Sequence, residues 1–141
     1  MEFKFPRFLR FRGFEIGEKF MKKVKLAIVG VGNCASSLVQ GIEYYKHHHN
    51  ELTDGIMQAQ INGWSPQDIE IVAAFDIDRR KVGLPIEEAI FGKPNCTKVF
   101  QEFNSNGGVK VKMGPVLDGI ADHMKDYPNA QAFRVADEKP V

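Results

Sequence analysis

Two glycines one residue apart, Gly30 and Gly32, break the chain between the apolar run Val24–Val29 and a run with amphipathic spacing. Gly30-Val31-Gly32-Asn33-Cys34-Ala35 fits the pattern G-x-G-x-x-A. Each residue type has a task in that pattern. Gly30 permits a tight turn from strand to helix. Gly32 carries no Cβ, so an anionic group can approach the main chain. Ala35 lets the helix sit close to the strand. The first turn of that helix offers unpaired N–H groups and a partial positive charge. The chemistry implied is the holding of a dinucleotide's pyrophosphate.

A second residue fits the same task. Asp76 closes the apolar run "IEIVAAFDID" and is placed to accept hydrogen bonds from an adenosine ribose. It lies 44 residues beyond Gly32, whereas the simplest unit places its carboxylate about 20 residues on. An irregular insertion over 50–68 accounts for the excess, because it lengthens the crossover without moving the second strand. The carboxylate favours NAD over NADP, since it repels a 2′-phosphate. Arg79, Arg80 and Lys81 close by are charges that could offset this.

Other candidates read more plainly as structure. His47, His48 and His49 point to different sides of a helix and make no i, i+4 metal pair, so no metal site is expected. Cys34 sits near a helix start, where a thiol can be activated, yet no base is near in sequence, and a small packing residue is expected. Lys110 and Lys112 alternate as the solvent face of a strand. Asp118 and Asp122 share one face of an expected helix.

The elements that must position these residues follow from periodicity. Val24–Val29 and Ile69–Asp76 are short, nearly continuous apolar runs, the pattern of buried parallel strands. Between them Ala35, Leu38, Val39, Ile42 and Tyr45 recur at helical spacing and predict one packed face, fading at the histidines. A short strand is expected around Met57 to Ile61. Pro85 opens a helix through Phe91, Asn106-Gly107-Gly108 signals a turn, and Val109–Met113 predicts a third strand. Leu117, Ile120, Ala121 and Met124 predict a last helix. The alternation implies an α/β fold with a parallel sheet, a partial Rossmann-like, doubly wound arrangement with flanking helices.

Bulk properties set limits. The 141 residues suit one domain, with 43% hydrophobic and 26% charged residues. The net charge of +1 is unevenly spread. Residues 1–25 carry eight Lys/Arg against Glu2, Glu15 and Glu18, so the opening is basic and the remainder acidic. Charges interrupt every apolar run of that Phe-rich opening, so it lacks the continuous hydrophobic region of a secretory signal. No stretch approaches the ~20 apolar residues of a membrane span. Residues 1–21 read as a basic aromatic extension and 22–141 as the N-terminal part of a nucleotide-binding domain. Cys34 and Cys96 form no CxxC, which suits a reducing, cytoplasmic setting.

The wording of four stretches is more specific. "VKLAIVGVGNCASSLVQGIEYY", "DIEIVAAFDIDRRKVG", "EEAIFGKPNCT" and "GPVLDGIADHM" occur in this order. Together they closely resemble the start of the archaeal and actinobacterial type of inositol-3-phosphate synthase (myo-inositol-1-phosphate synthase), over about residues 22–141. The resemblance implies a Rossmann-like domain holding NAD and a second domain completing the site. It implies conversion of glucose 6-phosphate to inositol phosphate by NAD-dependent oxidation, aldol ring closure and reduction, with lysines stabilising the enolate. It also implies a homo-oligomer, with neither nucleic acid nor membrane as partner.

Carried over by position, Gly30, Gly32, Asn33, Cys34, Ala35 and Ser36 match the pyrophosphate turn, and Asp76 the ribose acid. Asn95 and Thr97 match a segment bordering the cofactor that usually reads Asn-Asn-Thr, with Cys96 in its middle here. Gly114, Pro115, Asp118 and Gly119 match a Gly-Pro-Thr-Leu-Asp-Gly element in which Val116 replaces the threonine. Relatives run well past residue 141, and their catalytic lysines lie in that part, so no catalytic residue is assigned and the chain alone is expected to lack synthase activity. The alternatives are a stand-alone nucleotide-binding module without catalysis and a nucleic-acid-associated protein acting through the basic arm.

Overall fold

The computed structural model describes residues 23–48, 55–103 and 108–141. The N-terminal extension, His49, the start of the 50–68 insertion and most of the Asn106-Gly107-Gly108 turn lie outside the described residues. Three strands form one parallel sheet in the order β1-β2-β3: β1 is Val24–Val29, β2 Ile69–Asp76 and β3 Val111–Met113. One helix, α1, runs Asn33–His47 between β1 and β2, and a single helical turn, α2, spans Ile86–Ala89 before β3. This is the strand order of one half of a Rossmann-like, doubly wound α/β sheet.

Register explains the core. Ile28 lies beside Ala74, and Ala74 beside Val111, so these three form a row across one face of the sheet. Onto that row pack Ala35 and Val39 of α1 with Ile86, Ala89 and Ile90 from α2 and its end. Both helices therefore cover the same face. The other face carries Ala27 and Val29 from β1 and Ala73 and Phe75 from β2. Val29 there is 84% exposed, and among the described residues no helix covers it.

Several expectations change in detail. The buried face of α1 is Ala35, Ser36, Val39, Gln40 and Ile42, and Leu38 is turned outward. The helix expected through Phe91 stops at Ala89, because Gly92 and Pro94 follow at once and the residue before a proline avoids helical geometry. In place of a strand at 57–61 stands one antiparallel bridge, Ile61 with Trp64. Asn62 and Gly63 between them both have positive φ, the backbone of a two-residue primed turn. Ser65 and Asp68 then lock the entry to β2, with Ser65 Oγ donating to Asp68 Oδ2 at 2.9 Å.

The last helix does not form. Asp122–Met124 is a single 3-10 turn, and Gly119 before it has φ +65°. The segment after it returns to the C-terminal end of β2. Ala136 N–H donates to the Ile77 carbonyl and Arg79 N–H to the Arg134 carbonyl, both at 2.8 Å.

Candidate functional site

The carboxyl ends of the three strands meet at Gly30, Asp76 and Gly114. Gly30 N–H donates to the Phe75 carbonyl at 2.8 Å, and Gly114 N–H to the Asp76 carbonyl at 3.0 Å. In open α/β sheets this end holds the ligand crevice. A cleft of about 410 Å³ opens here, lined by the glycine turn, Asp76, Ile77, Asp78, Lys81, Pro94 and Phe133.

The two glycines do different work. Gly30 has φ +89°, a conformation that L side chains rarely adopt, so the turn itself requires glycine. Gly32 has φ −97° and ψ −156°, open to any residue. A Cβ built there meets nothing within 4 Å. The fold thus does not need glycine at position 32, and the bare surface it leaves faces open space.

Beyond Gly32, α1 begins with no side-chain cap. Ser36 N–H donates to the Gly32 carbonyl at 2.9 Å, while the N–H groups of Asn33, Cys34 and Ala35 find no acceptor among the described residues. These are the orphan donors of a helix start, with the positive end of the helix dipole behind them.

Asp76 is anchored by the backbone. Its Oδ1 accepts from Ile77 N–H at 2.7 Å and Asp78 N–H at 2.8 Å, and its Oδ2 accepts from Val31 N–H at 2.6 Å. A carboxylate has about four acceptor positions, so one remains, on Oδ2. The same side chain ties β2 to the turn after β1.

Asp78 is 2% exposed and pairs with Arg80, whose Nη2 lies 2.9 Å from Oδ2. Arg80 also donates to the carbonyls of Asn129 and Ala132, fastening the returning segment that brings Phe133 to the cleft wall. Lys81 Nζ donates to the Val31 carbonyl. Of the three nearby cations that could offset the repulsion of a 2′-phosphate, two are therefore committed to the protein.

The segment 95–101 is sewn to α1. Cys96 N–H donates to Asn33 Oδ1 and Asn33 Nδ2 to Cys96 Sγ, both at 3.1 Å, while Thr97 Oγ1 donates to the Asn33 carbonyl at 3.0 Å. Buried Gln40 takes the N–H groups of Phe100 and Gln101 on Oε1 and gives Nε2 to the Lys98 carbonyl.

Six expected site residues come together on the cleft: Gly30, Gly32, Asn33, Cys34, Ala35 and Asp76. Ser36 does not join them. It is fully buried, with its hydroxyl accepting from Gln40 inside α1, on the side of the helix that Gln40 ties to the 98–101 segment. Asn95 and Thr97 stand beside the cleft, and the Asn95 side chain is occupied by the Ile90 carbonyl and Thr97 N–H. Cys34, expected to pack, is exposed at the cleft as a free thiol, and Cys96 is also free and exposed. Gln40 and Phe133 were not singled out by the sequence. A glutamine inside an apolar helical stripe was the available signal for the first; none existed for the second. Among the described residues no group of three metal-ligating side chains gathers, and no helix is long and apolar enough to cross a membrane.

No protein-family model matches the chain. Inositol-3-phosphate synthase of Mycolicibacterium smegmatis is 41% identical over 120 residues, 84% of this chain and 31% of its own length. The enzyme of the same name from Corynebacterium glutamicum is 42% identical over 72% of this chain and 28% of its own length. The crystal structure of Ari2 superposes with a TM-score of 0.60 at 32% identity, covering 67% of this chain and 29% of that one. The chain thus spans about a third of the length of the curated relatives it matches. With a half-Rossmann sheet, an open glycine turn and this shared sequence, the chain belongs to the inositol-3-phosphate synthase family.

Proposed function

We propose that this chain forms the NAD-binding turn of an inositol-3-phosphate synthase, acting in the conversion of glucose 6-phosphate to inositol phosphate. The observation that carries the reading is the difference between the two glycines. Gly30 is required by the backbone, whereas Gly32 is spared a side chain that the fold would tolerate. A residue kept bare without internal need is accounted for by an external group that must come close.

The donors fit that group. A pyrophosphate resting over Gly32 receives the N–H groups of Asn33 and Cys34 and the dipole of α1. Asp76 Oδ2 retains one acceptor position for a ribose hydroxyl. Ile77 and Phe133 line the same cleft and give apolar surface for an adenine ring. When bound, NAD supplies a reversible hydride acceptor; the residues named here bind and orient it and exclude water from the phosphates. No proton-transfer role is assigned to them.

The test uses Gly32→Ala. The extra methyl meets nothing in the protein, so the urea midpoint should hold. NAD affinity, measured by amide shifts at Asn33 and Cys34, should fall at least about tenfold, as a preset donor cradle is blocked. Equal NAD binding by both proteins, or no shift at these amides in the parent, would refute the cofactor assignment.

A further inference from the structure

Lys81 is a cation with only 5% of its surface exposed. Its stem lies along Gly92, where an added Cβ would come within 3.2 Å of Lys81 Cγ and 3.5 Å of Cε. Burying an ammonium is costly unless its donors are answered, and one of the three goes to the Val31 carbonyl. The preceding peptide is held as well, since Val31 N–H donates to Asp76 Oδ2. Two successive peptide planes of the glycine turn are therefore pinned by side chains of opposite charge, one at its N–H and the next at its C=O.

The second pin has a directional consequence. The Val31–Gly32 peptide is trans, because the cis bond recorded is Lys93–Pro94. In a planar trans peptide the N–H points opposite to the C=O. Holding the Val31 carbonyl on Lys81 turns the Gly32 N–H the other way, where it has no acceptor among the described residues. Gly32 lines the cleft, as do the residues after it.

We infer that Lys81 is a positioning residue for anion recognition: by fixing the Val31 carbonyl it presents the Gly32 N–H as a preset donor to a nucleotide's diphosphate. For its ligand this rests on the cofactor reading above; the pin itself does not. A lysine spent in this way acts through the backbone and never touches the phosphate. Its charge nevertheless adds to the field of the helix start.

The experiment compares Lys81→Met, which keeps the apolar stem against Gly92 and removes the donor, with Lys81→Arg, which keeps a charged donor. Two readouts are taken on the full 141-residue chain. The first is the heteronuclear NOE of the Gly32 amide without ligand. The second is affinity for ADP and for adenosine, which lacks the diphosphate. In K81M the Gly32 NOE should fall and ADP affinity should drop roughly tenfold, the scale of one lost charge-assisted hydrogen bond, while adenosine stays within about twofold. K81R should recover part of the ADP affinity. Equal losses for ADP and adenosine, or an unchanged NOE in K81M, would overturn the inference. If the parent binds neither ligand the cofactor reading fails, and the Gly32 NOE alone then decides the pin. Should K81M not fold, K81L, which also keeps an apolar stem and carries no donor, takes its place with the same expected losses.

Discussion

The glycine turn and the segment from Gly114 to Val141 both lie at the C-terminal end of the sheet, and they are built on opposite principles. In the first, an apolar strand, a positive-φ glycine and an amphipathic helix follow one another within a few residues, and each fixes the next. In the second, an apolar pattern of helical period yields one 3-10 turn, with Leu117 85% exposed. Periodicity states which residues would share a face. It does not supply the surface that face must cover. A short helix is marginal unless its apolar side is buried, and among the described residues nothing covers Leu117. Further along, the tail is held by Val135 and Ala136, which pack with Val82 and Met113, and by polar contacts to main chain: Arg80 to the carbonyls of Asn129 and Ala132, and Arg134 to those of Lys125 and Tyr127.

If that contrast is real, the two regions should respond differently to truncation. The largest effect should come from the core under the turn. Ile90 is fully buried among Ile86, Ala89 and Val111. Ile90→Ala should cost about 2–5 kcal/mol, the range for a large-to-small change with incomplete collapse. A loss of less than half of the lower figure, taken from urea midpoint and slope together, would mean the core is not where the sheet register puts it.

Next in size is the polar clamp of the tail. Arg80→Met leaves the buried Asp78 carboxylate without its cation and frees two carbonyls, a loss of about 2–3 kcal/mol given the partial exposure of Arg80. Limited proteolysis should then cut between Lys125 and Arg134 faster than in the parent, while the Gly32 and Asn33 amide shifts stay in place. Simultaneous loss of the turn signals would show that the two regions fold as one unit and would remove the contrast.

The same contrast explains what the sequence could reveal. The strands, the turn and α1 were legible because their signals are local: Val24–Val29 ends at Gly30, and Ala35, Val39 and Ile42 repeat at helical spacing. Asp76 was legible despite its distance, since it closes an apolar run. Its anchoring by Val31, Ile77 and Asp78 N–H groups was not, because backbone donors leave no mark in a sequence. Ser36 stands off the cleft for a related reason. A motif orders residues along the chain, whereas a helix turns each successive one by about 100°, and position 36 turns inward to Gln40. Lys81 was noticed only as a charge near Asp76; its use as a strut depends on Gly92 leaving room for its stem.

The smallest expected effect is the sharpest test of this account, because it sets identical chemistry in two surroundings. Leu117 occupies the position that helical spacing would bury, yet it is almost bare to solvent. Leu117→Ala removes as much side chain as a core leucine truncation would, but little transfer free energy is lost from an exposed site. The change in stability should stay within about 0.5 kcal/mol, the range for surface substitutions. Backbone shifts of Asp118 to Met124 should also stay those of an irregular segment. A loss approaching that of Ile90→Ala would mean that Leu117 is covered in solution. The helical reading of 117–124 would then regain its physical basis, because a buried face is the one thing that pattern lacks.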